Sequence, residues 1–180
     1  MTQIIGLSGS LRRGSYNTAL LRAAQELHPQ HLRIASIADI PLYDADVESK
    51  GMPAAVQSLK QQIASADGLL LVSPEYNSSL PGVLKNAVDW LSRPSGEIRN
   101  VFRDKPVAVI GASPGGFGTL SAQAAWLPVF RGLGARFWSG GRLVVSGAHN
   151  VFGQQGHLAD ADIRERLAAF LEGFVEFCAD

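Results

Sequence analysis

Apolar residues along this chain fall into two patterns. Short runs such as Ile4-Ile5, GLLLV at residues 68–72 and VAVIG at 107–111 hardly alternate with polar residues. Runs of that kind read as strands buried on both faces, as at the centre of a parallel sheet. Between them lie stretches with apolar residues three and four apart, the spacing of a helix face. Leu20, Leu21, Ala24 and Leu27 form one, Val56, Leu59 and Ile63 another, and Ile163, Leu167, Phe170, Leu171, Phe174, Phe177 and Cys178 a third.

The pattern predicts strands at 3–7, 31–37, 68–72, 107–111 and 135–145. It predicts helices at 17–28, 53–65, about 81–91, a stretch ending near 133, and about 160–179. Ser15 or Asn17 is a candidate N-cap for the first helix, and Pro53 suits the first turn of the second. Pro128 lies inside the fourth helical pattern and should kink it. Gly140-Gly141 interrupts the last strand as a bulge or a break. No repeat or linker divides residues 1–180, so one domain is expected.

Strand–helix alternation predicts an α/β doubly wound parallel sheet with helices on both faces, and a five-stranded order 2-1-3-4-5 is expected. In such sheets ligands bind beyond the carboxyl ends of the strands, at the switch point. Three unusual loops leave those ends: residues 8–16, 73–80 and 112–118.

The first loop lies within GLSGSLRRGSYN, residues 6–17. Strand, Gly/Ser loop and helix start together make a phosphate cradle: backbone N–H groups converge and the helix end adds partial positive charge. Ser8, Ser10 and Ser15 offer hydroxyls, and Arg12 or Arg13 a charged fork. Neither GxxxxGK[ST] nor GxGxxG is present, so a phosphomonoester is expected. The second loop, Pro74-Glu75-Tyr76-Asn77, offers a flat ring, an amide and backbone donors. The third, Ser113-Pro114-Gly115-Gly116-Phe117-Gly118, is nearly bare backbone. A monophosphate at one end and a planar, hydrogen-bonding ring at the other describe a mononucleotide, and FMN fits best.

Composition narrows the partners. The 180 residues are 46% apolar and 18% charged, with zero formal net charge. That balance argues against nucleic acid or an anionic membrane as the main partner. No run approaches a membrane span, and the single cysteine, Cys178, permits no intrachain disulfide. A cytoplasmic protein is the default expectation. Zero charge also argues against an electron carrier of the strongly acidic flavodoxin kind. A phosphate-ester hydrolase would need a nucleophile or a metal cluster, and residues 6–17 contain no Cys, Asp or Glu. His149 and His157 have no Cys or carboxylate at ligand spacing, so no metal site is expected.

GSLRRGSYN, PEYNSSLPGVLKNAVDW and GASPGGFGT, in this order and spacing, resemble the NAD(P)H-dependent FMN reductase family. This is the flavodoxin-like group that includes quinone, chromate and azo-dye reductases. The resemblance runs from residue 3 to about 145. It implies that Ser10, Arg12, Ser15, Tyr16 and Asn17 bind the FMN phosphate. Pro74, Glu75, Tyr76 and Asn77 would contact the isoalloxazine, and Ser113, Gly115 and Gly116 would line its other side. It further implies a homodimer or homotetramer with flavin sites near the interface. NADPH or NADH would pass hydride to flavin N5 in a ping-pong cycle. A small-molecule acceptor (quinone, azo, nitro, chromate or free flavin) would then take the electrons, with no classical catalytic acid or base.

Two stretches depart from the family pattern: Ser78 after PEYN, and Ala125-Trp126-Leu127-Pro128 in the helix after the third loop. Other residues have plain structural readings. Lys85 and Asp89 suit a surface ion pair beside a structural Asn86. Trp90 suits core or interface, and Cys178 a buried thiol. Arg13 is expected to face solvent. Glu75 suits a subunit contact or a turn cap equally. Arg93, Arg99 and Arg103 are candidates for the 2′-phosphate of NADPH by proximity alone.

Overall fold

The structure is a computed structural model that describes all residues, 1–180. The strands are β1 (Ile4–Ser8), β2 (Leu32–Ala35), β3 (Gly68–Val72), β4 (Pro106–Ala112), β5 (Arg136–Phe137) and β6 (Val144–Val145). The helices are α1 (Tyr16–Leu27), α2 (Ala45–Glu48), α3 (Ala54–Ala64), α4 (Gly82–Leu91), α5 (Ile98–Val101), α6 (Leu120–Leu133), α7 (Ala148–Val151) and α8 (Ala161–Ala179). The sheet is parallel, in the order β2-β1-β3-β4-β5, with β6 also beside β4. This is the flavodoxin-like architecture.

The continuous apolar runs are explained by two cores. Ile4, Leu70, Val72, Ala108 and Ile110 face a core with α1 and α8. Their neighbours Ile5, Leu69, Leu71, Val107 and Val109 face the opposite core, with α3, α4 and α6. Because side chains alternate along a strand, burial on both faces leaves no polar position in the run.

The expected fifth strand is broken rather than bulged. Two residues of β5 pair with Pro106 and Val107, and two of β6 pair with Gly111 and Ala112. The chain between them leaves the sheet with Trp138. Its indole packs 4.6 Å from the Phe170 ring and 5.6 Å from Phe174, centroid to centroid. A Cβ on Gly140 or Gly141 would lie 2.6 or 2.7 Å from that indole. The Gly pair thus permits close approach to Trp138. Pro128 does not end α6, which runs on to Leu133.

Short helices α2, α5 and α7 occupy stretches that sequence patterning left as loops, because four residues show too little periodicity to register. The loop carrying α2 is tied down by Asn86, whose amide accepts from Tyr43 N–H and donates to the Pro41 carbonyl, both at 2.8 Å. Trp90 is fully buried and donates to the same carbonyl. Lys85 and Asp89 form the expected pair at 2.6 Å. Cys178 is half-buried, and burial pushes its thiol up to about 12.

Candidate functional site

The three loops leave the carboxyl ends of β1, β3 and β4 and meet in one cleft of about 100 Å³. Ser10, Arg12, Ser15, Tyr16, Asn17, Pro74, Glu75, Tyr76 and Ser113 all line it. Asn77, Gly115 and Gly116 lie outside that lining, further along their loops.

Loop one enters α1 through Ser15. Its Oγ accepts from the N–H groups of Asn17 (3.2 Å) and Thr18 (3.3 Å), which caps the helix and leaves the hydroxyl proton free to donate. Of the first-turn N–H groups of α1, those of Asn17 and Thr18 are taken by this cap and that of Ala19 by the Ser15 carbonyl, which leaves that of Tyr16 for an anion, together with the partial positive charge of the helix start. The Arg12 guanidinium lies 5.8 Å from the Tyr16 ring centroid and joins none of the ion pairs. Tyr16 in turn stacks on Phe152, centroids 5.7 Å apart.

Asn17 has a structural task that sequence reasoning missed. It is buried, and its amide clamps one residue of β4 from both sides. Nδ2 donates to the Ala112 carbonyl and Oδ1 accepts from Ala112 N–H, each at 2.9 Å. Loop one and the start of loop three are therefore held together by one side chain.

Loop two is fixed by a tight turn. Tyr76 and Ser79 exchange backbone hydrogen bonds at 3.0 and 3.1 Å, and the central residues Asn77 and Ser78 both have positive φ, 51° and 59°. That is the sign pattern of a type I′ turn, for which Asn at the first centre is favourable. Ser78 sits at the tip, so its departure from the family pattern alters the turn's outer surface. Tyr76 stands half-exposed at the cleft mouth.

Two further ties fasten loop two to α6. Glu75 Oε2 accepts from Ala122 N–H at 3.0 Å, satisfying a donor in the first turn of that helix. The structure thus supports the capping reading of Glu75. It also turns the cleft's one carboxylate toward a helix start, where it opposes an anionic ligand less. Trp126 is fully buried and donates from Nε1 to Ser73 Oγ at 2.9 Å, while that hydroxyl donates to the Pro74 carbonyl. The Trp126 departure is therefore a brace under loop two. Nothing in local spacing signals it, because Ser73 and Trp126 meet only when β3 and α6 pack.

Loop three is held from below. Ser113 N–H donates to the Val145 carbonyl at 2.9 Å, and Gly115 N–H to Ser113 Oγ at 3.2 Å. Gly111, at the end of β4, would place a Cβ 2.2 Å from the Ser73 carbonyl oxygen. Only glycine lets β3 and β4 approach so closely there.

The donor set fits FMN. One end of the cleft has a free guanidinium, hydroxyls and a helix start, with no acidic residue in 6–17. The other has a half-exposed ring and bare backbone. Comparison with known proteins agrees. Residues 2–150 match the family model for NADPH-dependent FMN reductases. The chain belongs to that family. It is an oxidoreductase with FMN as cofactor and NAD(P)H as cosubstrate.

The chain is 43% identical over 172 residues to an NAD(P)H-dependent FMN reductase of Pseudomonas aeruginosa, covering 94% of this chain and 91% of that one. It is 38% identical over 174 residues to a 2-hydroxy-1,4-benzoquinone reductase of Burkholderia sp, covering 96% and 93%. Among solved structures it superposes on FerB, the flavoenzyme NAD(P)H:(acceptor) oxidoreductase of Paracoccus denitrificans. The TM-score is 0.89 at 32% identity, over 99% of this chain and 98% of that one.

The arginines named for NADPH fare differently. Arg93 Nε donates to Glu48 Oε2 at 2.9 Å, and Tyr43 OH donates to the same oxygen at 2.8 Å. Arg103 pairs with the adjacent Asp104 at 3.6 Å. The hydrogen bond from Arg93, then that from Tyr43, holds the Glu48 carboxyl below its ordinary range. A lowered folded-state value means that this knot stabilises above the unfolded carboxyl value and is lost as pH falls through the folded one. Limited proteolysis of the native protein is therefore expected to cut the 38–52 loop faster below about pH 4 than at pH 7. An unchanged cleavage rate would remove the knot from the stability of that loop.

Proposed function

We propose that this protein is an FMN-dependent reductase that works by a ping-pong cycle on small-molecule acceptors. The convergence of loops one, two and three on one cleft at the carboxyl edge of β1, β3 and β4 carries the proposal. Arg12, Ser10 and Ser15 hold the FMN phosphate, aided by the start of α1. Tyr16 and Asn17 set the shape of that cradle. Pro74, Glu75, Tyr76 and Asn77 form one wall of the ring site, and Ser113, Gly115 and Gly116 the other.

FMN, held by these loops, would supply the redox chemistry as hydride acceptor and electron donor, with NAD(P)H and a small-molecule acceptor using the site in turn. The chain's own contribution is positioning and electrostatics. In loops two and three the N–H groups of Glu75, Asn77, Gly116 and Phe117 donate to no acceptor within the protein, and these are the donors left to stabilise negative charge on a flat ring. The ties Asn17–Ala112, Glu75–Ala122 and Trp126–Ser73 keep those donors in place before the ligand arrives. The open mouth beside Tyr76 imposes little shape selection, which suits quinone, azo, nitro, chromate or free-flavin acceptors.

A second copy of the chain is part of the proposal. Leu120 and Leu127 are exposed on one face of α6, seven residues apart, and Phe117 is exposed just before it. An apolar stripe beginning beside the ring loop suits a homodimer or homotetramer interface near the cleft. Light scattering during gel filtration reads this directly.

The deciding experiment is anaerobic mixing of the FMN-loaded protein with NADPH or NADH while following flavin absorbance. Rapid bleaching, reversed by a quinone, supports the reductase reading. Bound flavin that stays oxidised would make the protein an electron carrier. Arg12→Ala is expected to weaken FMN binding by at least about 1.5 kcal/mol, the scale of a hydrogen bond to a charged group. Arg13→Ala should not, and equal affinities for the two variants would sink the assignment of Arg12.

A further inference from the structure

Between the end of β3 and the turn of loop two, backbone contacts fix the chain everywhere except at one peptide. Ser73 is pinned on the sheet. Its N–H donates to the Ile110 carbonyl at 2.8 Å, and its own carbonyl oxygen lies against Gly111. Tyr76 is pinned by the turn, its N–H donating to the Ser79 carbonyl at 3.1 Å. Pro74 has no N–H and a nearly fixed φ. That leaves the peptide between Pro74 and Glu75, and no backbone group bonds to its carbonyl or its N–H.

Side chains set its orientation instead. Trp126 Nε1 donates to Ser73 Oγ at 2.9 Å, and that hydroxyl donates to the Pro74 carbonyl at 3.0 Å. The direction of this chain is forced. An indole N–H can only donate and a carbonyl can only accept, so the serine proton must go to Pro74. Trp126 and Ser73 are both fully buried, where linked hydrogen bonds strengthen one another. The Pro74–Glu75 bond is trans, and in a planar trans peptide C=O and N–H point in opposite directions. A carbonyl drawn toward Ser73 therefore turns the Glu75 N–H the other way, to the side on which Pro74 and Glu75 line the cleft. The Glu75 carboxylate is held by Ala122 N–H and leaves that amide without an acceptor.

We propose that Trp126 and Ser73 are positioning residues that aim the Glu75 N–H into the ring site and so favour reduced over oxidised FMN. This rests on the assignment of the ring site above. A donor fixed before the ligand arrives acts most strongly where negative charge develops, and the reduced ring carries more of it. The relay therefore goes beyond bracing loop two: it sets the balance between the two oxidation states of the cofactor.

The test combines fluorescence titration of oxidised FMN with the two-electron midpoint potential of the FMN-loaded protein, measured anaerobically by dye equilibration. Together they give the affinity for reduced FMN. Ser73→Ala is expected to weaken binding of reduced FMN at least tenfold more than that of oxidised FMN, which lowers the midpoint by about 30 mV. Trp126→Phe keeps the serine hydroxyl but removes the donor that directs it, and should move the potential the same way by less. The double variant leaves no buried indole N–H unpaired and serves if Ser73→Ala alone fails to fold. Trp90→Phe is the control. That indole is also fully buried and donates to a carbonyl, that of Pro41, outside the cleft. Its loss should lower the melting temperature and leave the ratio of the two affinities unchanged. In the apoprotein, the NMR order parameter of the Glu75 amide should fall in Ser73→Ala while that of Tyr76, held by the turn, stays. An unchanged midpoint, or equal losses of affinity for the two forms, overturns the relay. If the wild type binds no FMN, the assignment of the ring site falls, and the order parameter of Glu75 still decides whether Ser73 holds that amide.

Discussion

Asn17→Ala is expected to lower stability by about 2–4 kcal/mol and to weaken FMN binding more than tenfold. The stability figure follows from two buried backbone groups. The N–H and carbonyl of Ala112 each lose their Asn17 partner, and an unsatisfied buried polar group costs about 1–3 kcal/mol. The binding loss has a separate cause. Without the clamp, the start of α1 and the end of β4 no longer hold one spacing, so phosphate and ring donors cease to be aligned. Asn17→Asp separates the two effects. Aspartate keeps an acceptor for Ala112 N–H but loses the donor to its carbonyl and adds charge beside the phosphate cradle. Its stability should fall less than that of the alanine variant, and its FMN affinity should fall at least as far. Denaturant titration of the apoprotein and flavin fluorescence titration read the two quantities. An alanine variant as stable as the wild type would show that Ala112 finds other partners.

Gly111→Val is expected to cost about 3 kcal/mol or more, above the usual range for overpacking. The new Cβ would meet the Ser73 carbonyl at 2.2 Å and Thr119 Oγ1 at 2.4 Å. The first contact is backbone, which cannot swing aside, so the ends of β3 and β4 must separate. Those ends carry loops two and three, and FMN affinity should drop together with the melting temperature. Gly116→Ala is the matched control. Nothing lies within 4 Å of the Cβ that alanine would add there, so stability should stay within about 0.5 kcal/mol. A loss of FMN affinity in that variant alone would report the ring approaching bare backbone.

Where the three loops gather was legible because its determinants are local. The apolar runs at β1, β3 and β4 mark strands buried on both faces, and strand–helix alternation limits the order in which they pair. A loop at the carboxyl end of each central strand then has one edge on which to meet the others. Loop one carries its chemistry within a dozen residues: glycines for the turn, Ser15 as cap, Arg12 as cation. None of that needs a distant partner to be recognised.

The fifth strand and the bracing contacts were not legible in this way. Gly140-Gly141 signals an interruption, but whether it bulges or breaks depends on Trp138, whose indole finds its space against Phe170 and Phe174 on α8. Trp126 reads as a departure in a helix, and only the packing of α6 on β3 turns it into a support for Ser73. The same holds for the arginines. Sequence proximity pointed to Arg93, Arg99 and Arg103, whereas folding delivers Glu48 to the first of them from the loop after β2.

The sequence by itself determined the sheet order, the edge at which the three loops gather and the class of ligand that their chemistry suits. Those follow from periodicity, chain connectivity and residue types within single loops. Tertiary structure decided which polar groups remain available and which are consumed. Asn17, Glu75 and Arg93 all carry useful chemistry, and each is committed to a partner 45 to 95 residues away. Pairing across such separations depends on how helices dock on the sheet, which no local pattern encodes.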